Sequence, residues 1–138
     1  AMNYAMGWQM TTGDWICDHS QLLLGTFNEA DGTFTLGENL ADYGGVLISY
    51  DAYKTYGEPS SDCAGLTPDM RFFVAYATSW AQNIRAEEEL RLTKNDEHSL
   101  GKNRVNGRLP HINAWYDAFN ITKKNTMYIA PENRVKLW

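Results

Sequence analysis

The 138-residue sequence lacks the marks of several large functional classes. No apolar run reaches the roughly 20 residues that a membrane-spanning helix needs. No basic stripe is present, and seventeen acidic residues against twelve basic ones give a net charge of −5. Residues 3–16 mix polar and apolar residues and do not have the pattern of a signal peptide. We therefore expect no membrane span, and nucleic acid is a poor partner for such a surface.

Histidine and cysteine are scarce, and their spacing fits no compact catalytic motif. His19, His98 and His111 are too far apart to form H-E-x-x-H, in which two histidines on one helix bind zinc. Cys17 and Cys63 have no metal-ligand spacing, so one disulfide and two buried free thiols both remain open. There is no nucleophile elbow, phosphate-binding glycine loop or Cys-x-x-Cys motif.

Helical periodicity is the strongest pattern that the sequence does contain. Hydrophobic residues make up 43% of the chain, enough for the core of one folded domain. Apolar residues at spacings of four and three predict a helix with a stripe of Leu36, Leu40, Tyr43, Leu47 and Tyr50. Gly44 and Gly45 interrupt this helix, which indicates that another backbone packs closely there.

Helices are predicted on both sides of this segment, so the fold class is mainly α. Asp14 is a candidate cap for a helix over residues 15–27. The sequence Thr67-Pro68-Asp69 is typical of a helix start, with a buried stripe at Phe73, Ala77, Trp80 and Ile84. Charged residues 85–97 would extend that helix into solvent and end it in a loop. Pro110 would begin a last helix, and residues 121–138 would be extended or irregular.

Two pairs of residues are candidates for chemistry. Glu38 and Asp42, four apart, share one helix face, and two adjacent carboxylates favour a cation or proton nearby. His98 and Arg104 fall in a loop rich in Ser, Gly and Asn, where they could hold an oxyanion or a peptide carbonyl. Spacing alone fits a solvated helix face and ordinary loop residues at least as well.

Several motifs in the same order resemble the neprilysin and endothelin-converting-enzyme family of zinc metalloendopeptidases. Residues 35–45, Thr-Leu-Gly-Glu-Asn-Leu-Ala-Asp-Tyr-Gly-Gly, resemble that family's second zinc motif. Leu66-Thr67-Pro68 and Phe72-Phe73 resemble the start of its next helix. Asp96, His98-Ser99 and Arg104-Val105-Asn106-Gly107 resemble its substrate-binding loop. The resemblance covers residues 31–138, whereas residues 1–30 match poorly, so we divide the chain there.

The resemblance implies a fold and a role for each candidate residue. The fold would be the carboxy-terminal half of a zincin-like catalytic domain, acting on peptides. Glu38 would be the third zinc ligand, and Asp42 would orient one of the two zinc-binding histidines. His98 would stabilise the oxyanion of the tetrahedral intermediate, and Arg104 would bind a backbone carbonyl of the substrate.

The resemblance also implies that essential groups are missing from this chain. The two histidines and the general base of H-E-x-x-H would lie upstream, so we expect the chain to be inactive alone. We also expect a complementing N-terminal chain, or self-association through uncovered apolar surface. Ala81, Asn120 and Val135 stand where extracellular animal members carry disulfide cysteines, which suits a bacterial relative. A non-catalytic peptide-binding or interaction module, or a decayed or split gene product, is the alternative.

The first testable prediction is that the purified chain holds no stoichiometric zinc. Glu38 is one carboxylate ligand, and a catalytic zinc site normally takes three protein ligands. Metal analysis after dialysis should therefore find far less than one zinc per chain. One tightly held zinc would mean that a histidine of this chain joins Glu38, which would contradict the account.

Overall fold

The structure is a computed structural model, and it describes residues 32–57 and 61–137. That part of the chain is helical and contains no β-strand, so the predicted mainly α fold is confirmed. The α-helices are α1 (Leu36–Ala52), α2 (Pro68–Ser79), α3 (Ala86–Asn95), α4 (Gly101–Asn106) and α5 (Asn113–Phe119). A π-helix (Tyr53–Gly57) continues α1, and 3-10 turns span Leu109–His111 and Pro131–Asn133. None of these helices is long and apolar enough to cross a membrane.

The core lies where α1 meets α2, α5 and the 3-10 turn before α5. Its buried hydrophobic residues are Tyr43, Val46, Phe73, Leu109, Ile112, Trp115 and Tyr116. The predicted stripe of α1 is confirmed, because Tyr43 is buried and its other members pack against this cluster. Tyr50 stacks on Phe73 with ring centroids 5.2 Å apart, which joins α1 to α2 through an aromatic contact.

The start of α2 follows the predicted capping chemistry, but its end does not lie where we expected. Thr67 is the N-cap, and its hydroxyl accepts a hydrogen bond from the backbone N–H of Met70 at 3.3 Å. The helix ends at Ser79, so Ile84 lies outside it. Residues 81–85 are irregular and the charged segment forms a separate helix, α3, rather than the end of α2.

Two further expectations from the sequence are wrong, and a third is wrong for one of its two residues. Pro110 lies in a 3-10 turn, and α5 begins three residues later at Asn113. Arg104 lies in the short helix α4 rather than in a loop. Among the described residues nothing lies within 4 Å of a Cβ placed on Gly45, whereas a Cβ on Gly101 would collide with the carbonyl oxygen of Trp80. The expected close backbone approach is therefore absent at Gly45, and one occurs at Gly101.

The cysteines are only partly accounted for by the described residues. Cys63 is an exposed free thiol, so the option of two buried thiols is wrong for this residue. Cys17, His19 and the helix predicted over residues 15–27 lie outside the described part of the chain.

The C-terminal segment after α5 is irregular apart from one 3-10 turn, as predicted, and hydrogen bonds fix it to the core. The Tyr43 hydroxyl donates to the carbonyl of Val135 at 2.9 Å, and the Val135 N–H donates to His111 Nδ1 at 3.0 Å. Burial raises the pKa of Tyr43 to about 12. Burial also lowers the pKa of His111 to about 3, with the positive charges of Arg134 and Arg108 adding to the effect. His111 is therefore a neutral side chain in the folded protein at neutral pH.

The second prediction follows from this buried histidine. Its folded pKa lies below its unfolded value of about 6.5, so its contribution to stability is complete above that pH and is lost as the pH falls. Between pH 7 and pH 5 this group should remove about 2 kcal/mol from the free energy of unfolding. Urea unfolding at several pH values measures the loss. The control is His111→Asn, which keeps a hydrogen-bond acceptor but does not titrate; equal losses in both proteins would contradict the prediction.

Candidate functional site

The structure brings all four candidate residues together as two contacting pairs. One face of α1 presents Glu38 and Asp42 to the segment formed by residues 96–108. His98 Nε2 lies 3.1 Å from Glu38 Oε2. Arg104 donates to both carboxylate oxygens of Asp42, from Nε at 2.7 Å and from one Nη atom (Nη2) at 2.6 Å. In each pair the two residues are about 60 positions apart in the sequence. The fold brings both pairs onto one polar surface.

His98 is held between two carboxylates. Its Nδ1 lies 2.9 Å from Asp96 Oδ1, and the same oxygen accepts the backbone N–H of His98 at 2.9 Å. These hydrogen bonds from His98, the backbone one first, hold the pKa of Asp96 below its usual value. About two-fifths of the His98 side chain is exposed, so the ring is oriented but still accessible to a ligand.

Arg104 is held by a carboxylate on one side and an aromatic ring on the other. Its guanidinium carbon lies 3.7 Å from the centroid of the Trp80 ring, a cation–π contact. The Tyr76 hydroxyl donates to the Arg104 carbonyl at 2.9 Å, which fixes the backbone of α4. A planar guanidinium bound at two points and stacked on a ring has little rotational freedom. The arrangement therefore presents Arg104 in a single orientation.

The sequence analysis missed the residues beneath this surface, above all Arg108. Its side chain is fully buried, yet its Nη2 donates to Asp42 Oδ2 at 3.0 Å and to the side-chain oxygen of Asn39. Its Nη1 donates to the Asn103 carbonyl at 2.8 Å. The one available signal was the spacing of four between Arg104 and Arg108, which alone does not distinguish a buried arginine from a solvated one.

Asn39 is the second residue that the sequence analysis missed. It is fully buried, and its side-chain oxygen accepts the Ser99 hydroxyl at 2.7 Å as well as Arg108. Its side-chain nitrogen donates to the Thr35 hydroxyl at 3.0 Å. Asn39 and Ser99 each lie directly after a candidate residue, Glu38 and His98. Their hydrogen bond therefore fixes the distance between the two elements that carry the candidates.

Arg108 keeps its charge despite its burial. Loss of hydration lowers its pKa to about 10, and the Asp42 carboxylate opposes that shift. At neutral pH the side chain is therefore a cation. Asp42 is in contact with two guanidinium groups, and its own side chain is about one-seventh exposed. The carboxylate thus joins a buried cation to a surface one.

The described residues can supply one metal ligand but cannot complete a site. In residues 32–57 and 61–137 no group of three or more His, Cys, Asp or Glu side chains is placed to hold a metal ion. The Glu38 carboxylate is about two-fifths exposed and lies on the edge of α1, so it is accessible to an ion held from outside. A carboxylate oxygen is a suitable zinc ligand.

A groove of about 360 Å³ runs beside Asp42 between α1 and α2. Its α1 side consists largely of small residues, Ala41, Gly45 and Ser49, and its α2 side includes Phe72 and Ala75. Small side chains on one helix allow the backbone of another segment to approach closely. The groove therefore offers an apolar surface directly next to the Asp42 carboxylate.

Comparison with known proteins identifies the family. The sequence matches the model of peptidase family M13 over residues 9–135, and the chain belongs to this family. It is 36% identical over 113 residues to human membrane metallo-endopeptidase-like 1 and 34% identical over 113 residues to mouse neprilysin. It is 32% identical over 109 residues to the neutral endopeptidase of Lactococcus lactis subsp. cremoris. The resemblance to neprilysin-type zinc metalloendopeptidases is thereby confirmed.

Solved structures show the same relationship. The chain is similar to the zinc metalloprotease Zmp1 of Mycobacterium tuberculosis in complex with an inhibitor, with a TM-score of 0.78 and 30% identity. This match covers 99% of the chain but 21% of Zmp1. The matches to the human, mouse and lactococcal relatives cover 78% to 79% of the chain and 14% to 16% of each relative. The chain therefore spans about a seventh of the length of these relatives.

The third prediction compares the two carboxylates of α1. Asp42→Ala should destabilise the chain by about 3–5 kcal/mol, because Arg108 would remain as a buried cation without its anion. Glu38→Ala removes a carboxylate one helical turn from Asp42. Its partner, His98, is partly exposed, so the free energy of unfolding should fall by at most about 1 kcal/mol. Urea unfolding of the two variants at pH 7 measures both. Losses of equal size would show that Arg108 does not depend on Asp42.

Proposed function

We propose that residues 32–137 form one side of a zinc endopeptidase active site. In this proposal the chain supplies one zinc ligand and the segment that contacts the peptide, and another segment supplies two histidines and the general base. The observation that carries the proposal is the pairing of Glu38 with His98 and of Asp42 with Arg104 on one surface. Family membership supports the same assignment.

Glu38 and Asp42 are proposed to act at the metal. The Glu38 carboxylate would be the third protein ligand, and bound zinc would supply an activated water and polarise the peptide carbonyl. Asp42 would accept a hydrogen bond from the ring N–H of a zinc-binding histidine, which fixes the orientation of that ring. Its position at the edge of the small-residue groove suits this role, because the groove can receive the segment that carries the histidine.

His98 and Arg104 are proposed to act on the peptide. Asp96 lies against Nδ1 of His98, and in this structure the opposite nitrogen, Nε2, faces Glu38 Oε2. Once the Glu38 carboxylate binds zinc, Nε2 can donate a hydrogen bond to the oxyanion that develops at the carbonyl. Arg104 binds Asp42 through Nε and Nη2, and within the described residues its Nη1 makes no hydrogen bond. Nη1 can therefore donate to a backbone carbonyl of the substrate while the guanidinium stays fixed.

The chain alone is proposed to be inactive. H-E-x-x-H is absent from its sequence, so neither the paired histidines nor the general base is present. An exposed charge-assisted hydrogen bond from Arg104 contributes only about 1.5–3 kcal/mol. Since association itself costs at least about 4 kcal/mol, peptide binding to the isolated chain should be weaker than about 1 mM.

The fourth prediction tests the proposed function in a chimera. Residues 31–138 replace the matching segment of the lactococcal neutral endopeptidase, and cleavage of a reporter peptide is followed with and without zinc. The chimera should be active and zinc-dependent. Glu38→Gln should lower its activity by more than about a hundredfold, since even residues that only orient a zinc ligand cost about 10- to 100-fold.

The matched control is Glu132→Gln, which changes an exposed glutamate in the last 3-10 turn and should leave the activity unchanged. A folded chimera that binds zinc equally well with and without the Glu38 carboxylate would contradict the proposal. In parallel, the isolated chain is mixed with the reporter peptide. Micromolar binding that is lost in Arg104→Ala would instead favour a peptide-binding module, and zinc-dependent cleavage would refute inactivity.

A further inference from the structure

Stabilisation of the fold alone is a poor explanation for the buried position of Arg108. Its guanidinium is fully buried, and within the described residues its Nε makes no hydrogen bond. Burying a charge is costly, and a well-packed apolar side chain often replaces a buried ion pair without loss of stability. The contacts of the guanidinium indicate a role besides stability.

The hydrogen bonds at Asp42 distinguish its two oxygens. A carboxylate has about four lone-pair positions for hydrogen bonds, two on each oxygen. Arg104 uses one position on each oxygen, at 2.7 Å on Oδ2 and 2.6 Å on Oδ1. With Arg104 alone, each oxygen would keep one acceptor position and the two would be equivalent. Arg108 uses the second position on Oδ2, at 3.0 Å. One acceptor position then remains, and it is on Oδ1.

We propose that Arg108 is a positioning residue that acts through Asp42, directing its one remaining acceptor position to Oδ1. Asp42 lines the groove between α1 and α2, so a donor seated in that groove lies next to this residue. The inference rests on the proposed function, in which that donor is the ring N–H of a zinc-binding histidine. Arg108 itself touches neither substrate nor metal, because it is fully buried.

The contacts of Arg108 with its other neighbours make this orientation rigid. The same Nη2 atom that binds Asp42 also binds the Asn39 side-chain oxygen, and Nη1 binds the Asn103 carbonyl. Asn39 precedes Asp42 on α1, whereas Asn103 precedes Arg104 on α4. Arg108 is thus fixed to both helices, and a movement of Asp42 relative to Arg104 would break one of these hydrogen bonds.

The test uses the isotope-labelled chain and needs no catalytic activity. In Arg108→Met the side chain keeps its length but loses its donors, so Asp42 can turn and the Arg104 pair loosens. The exchange of the Arg104 Nε proton with solvent, measured by NMR, should become about tenfold faster, since one charge-assisted hydrogen bond at the shared carboxylate is lost. Arg108→Lys keeps the charge but replaces the two donor nitrogens, Nη1 and Nη2, by one. The Arg104 Nε exchange rate in Arg108→Lys should therefore lie between the rates in the unaltered chain and in Arg108→Met.

Arg91→Met is the matched control, because Arg91 binds Glu88 through two hydrogen bonds on the surface of α3, away from Asp42. It should leave the Arg104 exchange rate unchanged. If Arg108→Met does not fold, Arg108→Lys decides alone. An exchange rate equal to that of the unaltered chain, in a folded Arg108 variant, would overturn the proposal.

A second measurement separates orientation from stability. In the chimera, Arg108→Met should weaken zinc binding by about 10- to 100-fold, as changes to residues that orient zinc ligands do, with partial recovery in Arg108→Lys. Unchanged zinc affinity would overturn the proposed role. A failure of the proposed function would give a different result from a failure of this inference. The chimera with the unaltered segment would then bind no zinc, whereas the NMR result would still show whether Arg108 holds Asp42 in place.

Discussion

The rest of the site depends on the ion pairs that the Asp42 carboxylate forms with two arginines. Arg104 binds it from the surface through two short hydrogen bonds, and Arg108 binds it from within the core. One anion thereby neutralises part of a buried charge and holds the surface guanidinium in place. Because α1 carries the carboxylate and residues 96–108 carry both arginines, the same contact fixes the distance between the helix and the segment that faces it.

The neutral hydrogen bonds around this carboxylate make the arrangement specific. Asn39 joins Ser99 and Arg108 through one buried oxygen, so the register of α1 against the segment is set one turn below Asp42. On the other side, Gly101 allows the start of α4 to approach the end of α2, where a side chain would collide with the Trp80 carbonyl. Glu38 and His98 can then meet at the surface.

The sequence alone predicted α1 and the start of α2, and it named four residues that the structure brings into contact, but it did not predict what lies beneath them. Periodicity and capping indicated α1 and the start of α2, because those signals are local. Arg108 was missed because its partner Asp42 is 66 residues away, and no local pattern shows that a charged residue after Gly107 is buried. For the same reason the close backbone approach at Gly101 was missed and the one expected at Gly45 is absent: both are glycines, and only the tertiary fold distinguishes them.

The central proposal is that Glu38 binds the metal and that Asp42 orients a zinc-binding histidine through Oδ1. Membership of peptidase family M13 and the contacts of both residues support it. A crystal structure of the zinc-loaded chimera tests it most directly. The account predicts a Glu38 oxygen at about 2.0–2.2 Å from zinc. It also predicts a zinc-binding histidine donating to Asp42 Oδ1, with Arg108 on Oδ2. A structure with Glu38 turned away from the metal, or with the histidine on Oδ2 and Arg108 displaced, would contradict it.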